Sequence, residues 1–137
     1  MQENDGRQLI YEKKDHIATI ALNNPGKLNA FIVSMIESWV EALKDSQSDD
    51  MIRVIVITGM GRAFCAGGDL DAMEKGEGFF PVSDFPPLGE KTNACHRKRS
   101  LWELIHRVPL TLEDIDKPVI AAVNGDAIDT GCDMALI

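Results

Sequence analysis

Residues 54–70 read VIVITGMGRAFCAGGDL, four β-branched residues running into a glycine-rich segment. The run Val54-Ile55-Val56-Ile57 has the pattern of a strand buried on both faces. Thr58 to Asp69 then carries four glycines, Gly59, Gly61, Gly67 and Gly68. A strand that ends this way lets the main chain approach a ligand closely. It also lets successive N–H groups converge on an anion or on an oxygen that is gaining negative charge. Two common readings of such a segment fail. Gly59-Met60-Gly61-Arg62-Ala63-Phe64 follows the dinucleotide pattern GxGxxG only until Phe64 takes the place of the third glycine, and no helix-forming run follows directly. The phosphate-loop pattern fails because no Gly-Lys-Ser/Thr follows.

Upstream, Leu9 to Lys13 and His16 to Leu22 read as two short strands with Asp15-His16 in the turn between them. Asn23-Asn24-Pro25-Gly26 is turn chemistry. Asn29 is placed as an N-cap. Phe31, Ile32, Met35, Ile36, Trp39, Val40 and Leu43 follow at helical spacing, which predicts an amphipathic helix over 30–46. Ser46 to Asp50 is then a polar linker. The order strand, strand, helix, strand is a ββα unit leading into a buried sheet.

Downstream, residues 74–90 (EKGEGFFPVSDFPPLGE) have no periodicity and are expected to form a mobile loop. Phe79, Phe80 and Phe85 either line a pocket or pin that loop to the core. A helix is expected near 91–107, with His96-Arg97-Lys98-Arg99 and His106-Arg107 forming a basic face beside Leu101, Leu104 and Ile105. Met134 to Ile137 reads as an apolar helix without a C-cap.

Bulk composition narrows the function classes. The chain has 137 residues, 45% of them apolar, enough for a single domain with a real core. A net charge of −8 argues against non-specific binding to nucleic acid or to an anionic membrane. No apolar run approaches membrane-spanning length. The polar, acidic start at Met1–Arg7 resembles neither a secretory signal nor a transit peptide. Cys65, Cys95 and Cys132 form no CxxC pair, so neither a disulfide framework nor a metal site is expected, and a reducing, cytoplasmic setting fits. Small buried packing is the expected role of Cys65 and Cys132.

Three blocks, in order, resemble the crotonase (enoyl-CoA hydratase/isomerase) superfamily. Asn24-Pro25-Gly26-Lys27-Leu28-Asn29-Ala30-Phe31 is similar to the family's NxPxxxNA turn into its first helix. Gly61 to Leu70 is similar to its GxxFCAGxDL segment, and Lys117 to Gly125 to its KPVIAAVNG strand and turn. The resemblance runs from about Leu9 to Ile137. It implies an α/β crotonase-like fold of repeated ββα units, here the N-terminal portion of one domain in a longer parent that forms a homo-oligomer. It also implies an acyl-coenzyme A substrate, with coenzyme A part of that substrate rather than a cofactor, and a place in fatty acid metabolism.

The resemblance further implies residue roles. Backbone N–H groups of Gly68 and Thr130 would form an oxyanion hole for the thioester carbonyl, Thr130 at the start of a helix whose N-terminal potential favours the charge. Asp133 falls where hydratases of the family carry one of two catalytic glutamates, and a carboxylate there can act as general acid or base. Its alternative role is to complement the helix dipole. The second carboxylate would belong to a later segment. Lys27, Leu28, Ala66, Gly67, Asp69 and Leu70 would line the substrate, with Lys27 and Arg62 near phosphates or simply solvated, and the basic face near 91–107 offering a further phosphate contact. Where this chain has Asp129 and Thr130, the family usually has small residues, often glycine, so Asp129 brings negative charge near the oxyanion position. The function classes are an acyl-CoA hydratase or isomerase, another crotonase chemistry such as thioester hydrolysis, and a non-catalytic coenzyme A-binding or interaction module.

Overall fold

The structure, a computed structural model, describes residues 7–75 and 106–137. Strands β1 (Leu9–Lys14) and β2 (Ile17–Leu22) form an antiparallel hairpin. Its two-residue turn holds Asp15 and His16 at φ of 51° and 67°, the left-handed pair whose twist matches paired strands. A single 3-10 turn at Pro25–Lys27 precedes helix α1 (Val33–Ser48). The helix returns the chain to β3 (Val54–Gly59), parallel to β2, and β4 (Ala63–Cys65) follows. Helices α2 (Leu70–Glu74) and α3 (Arg107–Glu113) lead to β5 (Val119–Ala122), parallel to β3. The main sheet thus has the order β1-β2-β3-β5. Strand β6 (Asp126–Ala127) pairs with β4 in a second, two-stranded sheet, and α4 (Thr130–Leu136) follows it.

The core forms where α1 lies on the sheet. Met35, Ile36, Trp39, Val40 and Leu43 recur at helical spacing on one face of α1 and meet Ala18, Ile20, Leu22, Ile55 and Ile57 from the strands. Burying each large aliphatic side chain is worth roughly 1.5–3 kcal/mol, which favours this packing over any intrinsic preference of a 16-residue helix. Phe31 and Trp39 pack with ring centroids 5.7 Å apart.

Several expectations change on contact with the structure. The first helix begins at Val33, not 30, and runs to Ser48. Its extension through the expected linker is held by Lys117, whose ammonium donates to the carbonyls of Ser46 (2.6 Å) and Asp49 (2.7 Å). Lys117 thereby caps the helix from the start of β5, a tertiary contact that local sequence cannot reveal. Asn29 is not an N-cap: Ile32 is, without a side-chain cap bond. Strand β3 is buried at Ile55, Ile57 and Gly59 but only half-buried at Val54, Val56 and Thr58, so one face rather than both is sealed. A short helix, α2, does follow the glycine-rich segment directly. Except for Glu74 and Lys75, the loop expected over 74–90 lies outside the described residues, as does the helix near 91–107 up to residue 105.

Candidate functional site

The glycine-rich segment is held in shape by one buried side chain. Asn29, fully buried at φ 57°, donates from Nδ2 to the carbonyls of Met60 (2.9 Å), Ala63 (2.9 Å) and Phe64 (3.2 Å). Its Oδ1 accepts from the Asn24 N–H at 2.9 Å. Asparagine tolerates the left-handed backbone here better than most residues. Asn124 accepts the Gly59 N–H (3.0 Å) and donates to the carbonyls of Gly61 (3.0 Å) and Ala63 (3.2 Å). Two carboxamides therefore clamp the loop, and both reach the Ala63 carbonyl.

The main chain of 65–69 is stitched to the 28–31 turn. The Ala66 N–H donates to the Leu28 carbonyl (3.0 Å), the Phe31 N–H to the Gly67 carbonyl (2.7 Å), and the Asp69 N–H to the Phe31 carbonyl (3.0 Å). The Gly67 N–H faces the Cys65 sulfur at 3.4 Å. Of the four amides from Ala66 to Asp69, the Gly68 N–H alone makes no hydrogen bond among the described residues.

The second segment docks beside it. The Ile128 N–H donates to the Cys65 carbonyl at 2.9 Å. A β-carbon on Gly131 would lie 2.4 Å from the Cys65 carbonyl oxygen, so only glycine lets α4 begin this close to β4. Gly131, Cys132 and Asp133 all spend their N–H groups on the carbonyls of Ile128 and Asp129, while those of Asp129 and Thr130 make no hydrogen bond among the described residues. Two stretches with unpaired amides, one at Gly68 and one at 129–130, thus end up on neighbouring turns joined through Cys65.

Asp129 itself sits at φ 53°, ψ −131°, a backbone conformation normally left to glycine. A β-carbon on Gly67 (φ 87°) would lie 3.0 Å from both Cβ and Oδ2 of Asp129. The Asp129 carboxylate therefore rests on Gly67, the residue before the unpaired Gly68 amide. Burial, with a smaller contribution from the Asp129 charge, pushes the Cys65 thiol up to about 11 against the Gly67 N–H, and leaves it a neutral packing residue. Cys132 is exposed, contrary to the buried role expected for it.

The remaining sequence candidates are distributed around this point. Lys27 donates to both oxygens of Asp69 (3.0 and 2.9 Å) and to Asp71 (3.1 Å), so its charge is locally matched. Asp69, 5% exposed, also caps α2 by accepting the Ala72 N–H at 3.0 Å. Burial raises the Asp69 carboxyl, but the Lys27 ammonium and the amides around it outweigh that and hold it below its usual range. Leu70 is 74% exposed and Arg62 is exposed. Asp133 is exposed on α4, and its carboxylate makes no hydrogen bond among the described residues. Among the described residues no group of His, Cys, Asp and Glu is placed to hold a metal, and no helix is long and apolar enough to cross a membrane. Asn29, Asn124 and Lys117 are the organising residues that the sequence reading missed as such. In the sequence Asn124 is legible only as part of a strand-end turn, and Asn29 has the pattern of a cap.

Comparison with known proteins follows the same lines. The family model described as enoyl-CoA hydratase/isomerase matches residues 12–137. The 1,2-epoxyphenylacetyl-CoA isomerase of Escherichia coli is 37% identical over 120 residues, covering 88% of this chain and 41% of that protein. A 4-chlorobenzoyl coenzyme A dehalogenase of Arthrobacter is 34% identical over 136 residues, covering 99% and 45%. The crystal structure of an enoyl-CoA hydratase/isomerase from Xanthobacter autotrophicus Py2 superposes with a TM-score of 0.78 at 25% identity, over 95% of this chain and 43% of that one. The chain spans less than half the length of each of these three proteins.

Proposed function

Because this chain belongs to the enoyl-CoA hydratase/isomerase (crotonase) family, we propose that its glycine-rich turn and its 128–133 turn form part of an acyl-coenzyme A site that stabilises negative charge on the thioester oxygen. The observation that carries this reading is the sparing of amides: most neighbours on both turns are hydrogen-bonded, while among the described residues those of Gly68, Asp129 and Thr130 are unspent. Amides held by Asn29, Asn124 and the Leu28–Phe31 turn need no reorganisation when charge develops, which is the condition for electrostatic catalysis. The Gly68 and Thr130 N–H groups then donate to the thioester carbonyl oxygen as an enolate forms.

In this reading Asp133 acts as general acid or base at the acyl carbons. Its carboxylate, exposed and without a hydrogen-bond partner among the described residues, is available for that role. Leu28, Ala66, Gly67, Asp69 and Leu70 frame the substrate, and Lys27 serves mainly to pin Asp69 and the turn, since two carboxylates already engage its ammonium. The reaction is hydration or isomerisation of an enoyl thioester in a cytoplasmic enzyme of fatty acid metabolism, with coenzyme A entering as part of the substrate. A second reading, coenzyme A binding without turnover, is favoured by one feature, the Asp129 carboxylate beside the spared amides.

The test is Gly68→Pro, which deletes one donor, with Gly68→Ala as the variant that keeps it. Binding of butyryl-CoA is compared with that of free coenzyme A, which lacks the carbonyl, and crotonyl-CoA hydration is followed alongside. Gly68→Pro should weaken thioester binding selectively and lower any turnover by roughly 10² to 10³, with circular dichroism unchanged. Equal effects on butyryl-CoA and free coenzyme A would refute the assignment.

A further inference from the structure

Asp129 is the residue that most sets this site apart from the small-residue turn that the family resemblance implies. Its backbone holds a conformation suited to glycine, at φ 53° and ψ −131°. Its carboxylate rests on Gly67 and is exposed, and among the described residues it makes no ion pair. The hydrogen bond it receives comes from the Thr130 hydroxyl at 3.5 Å. The unspent amides of Gly68 and Thr130 belong to the residues next to Gly67 and Asp129 in the chain. Any carbonyl oxygen that reaches those amides therefore approaches an uncompensated negative charge.

Such a charge acts in opposite directions on different acyl groups. It disfavours the build-up of negative charge on the carbonyl oxygen of an apolar acyl thioester, which has nothing to offset the repulsion. An acyl group that carries an ammonium or a hydroxyl close to the carbonyl supplies the missing partner. We propose that Asp129 is a specificity-determining residue of the acyl-coenzyme A site, favouring acyl groups with a cation or hydrogen-bond donor on the α- or β-carbon over apolar acyl groups of the same size. This rests on the acyl-coenzyme A reading above. It assigns to the site a class of polar or cationic acyl thioesters and gives the non-glycine residue in a glycine conformation a chemical purpose.

The experiment uses two saturated thioesters of matched length, butyryl-CoA and β-alanyl-CoA, which differ by a methyl group against an ammonium. Their affinities for the chain are measured by calorimetry in the wild type, Asp129→Asn and Asp129→Gly. Asparagine keeps the size and tolerates the positive φ, and glycine guards against misfolding of the first variant. The wild type should prefer β-alanyl-CoA about fivefold, the scale of an exposed charge pair, and the preference should shrink with added salt. Both variants should bind the two thioesters nearly equally. A preference ratio that is the same in wild type and Asp129→Asn overturns the inference while leaving the acyl-coenzyme A reading intact. Failure of the wild type to bind either thioester overturns that reading, and this inference with it.

Discussion

The side-chain nitrogen of Asn29 donates to the Ala63 carbonyl at 2.9 Å, across 34 residues of sequence and with no accessible surface on Asn29. That contact fixes the turn after β2 to the loop after β3. Replacing Asn29 with alanine removes the donor to the carbonyls of Met60 and Phe64, leaves that of Ala63 only its 3.2 Å bond from Asn124, and takes the Oδ1 acceptor from the Asn24 N–H. A buried group left unsatisfied costs about 1–3 kcal/mol, and alanine is also poorly suited to φ 57°. Asn29→Ala should therefore lower unfolding free energy by at least about 3 kcal/mol in urea titrations. Asn29→Asp should be worse, because it aims an acceptor at three carbonyl oxygens. A loss under about 1 kcal/mol would mean that the loop is held by other contacts.

The sequence was informative where one element decides its own structure and uninformative where two elements share a residue. Met35, Ile36, Trp39, Val40 and Leu43 announce α1 because burial on one helical face sets their spacing. The three family blocks announce the ββα frame and the two turns that form the site. Asn29 was misread because asparagine before an apolar run is statistically a cap, while its actual partners are carbonyls 31 to 35 residues away. Strands β4 and β6 were invisible for the same reason: three and two residues long, they exist through pairing with each other. Asp69 as the cap of α2 was legible in principle, since it directly precedes Leu70 and Ala72.

Stability at acid pH should report on Asp69. Although burial opposes ionisation, the Lys27 ammonium and the Ala72 N–H hold its carboxyl below the usual value in the folded chain. A folded-state value below the unfolded one gives a stabilisation fully present above about pH 4 and lost as the pH falls further toward the folded value. Lys27, raised by Asp69 and Asp71, contributes stability present below about pH 10 and lost as the pH climbs through its raised value. Asp69→Asn should be less stable at pH 7 and should show a shallower decline between pH 4 and pH 2 than the wild type. Parallel acid limbs for the two proteins would remove Asp69 from this role.

Lys117 should prove more important to α1 than its position in another element suggests. Its two hydrogen bonds to the Ser46 and Asp49 carbonyls are charge-assisted and close the helix end. Lys117→Met keeps most of the apolar stem and removes the donors. It should cost about 2 kcal/mol and speed amide exchange of residues 46–49 before the rest of α1. Uniform exchange along the helix in the variant would show that the cap is not local.

Asp129→Gly should raise stability, even as it removes a side chain. The strain of a non-glycine residue at positive φ is about 1–3 kcal/mol, and the added freedom of glycine in the unfolded chain recovers under about 1 kcal/mol of that. The melting temperature should rise by a few degrees, a shift on the order of 1 kcal/mol. A lower melting temperature would mean that the Asp129 carboxylate makes compensating contacts that outweigh its strained backbone.

Gly131 makes the converse case, because there glycine is required by space rather than by φ. A β-carbon would lie 2.4 Å from the Cys65 carbonyl oxygen and 2.8 Å from its Cβ. Backbone cannot yield as a flexible side chain does, so Gly131→Ala must either push α4 away from β4 or break the Ile128-to-Cys65 hydrogen bond of 2.9 Å. Both outcomes displace the Thr130 amide relative to Gly68. The cost in stability should be modest, since α4 buries only Met134 besides Gly131 itself; roughly 1–3 kcal/mol is the usual range for an overpacked site. The cost in function should be larger, because displacing one of two donors by about 1 Å can remove on the order of 10² in rate. Gly131→Ala should thus retain a cooperative unfolding transition yet lose the selective affinity for butyryl-CoA over free coenzyme A. If that affinity persists undiminished while the amide exchange of residues 128–134 shows α4 displaced, the Thr130 amide is not one of the donors.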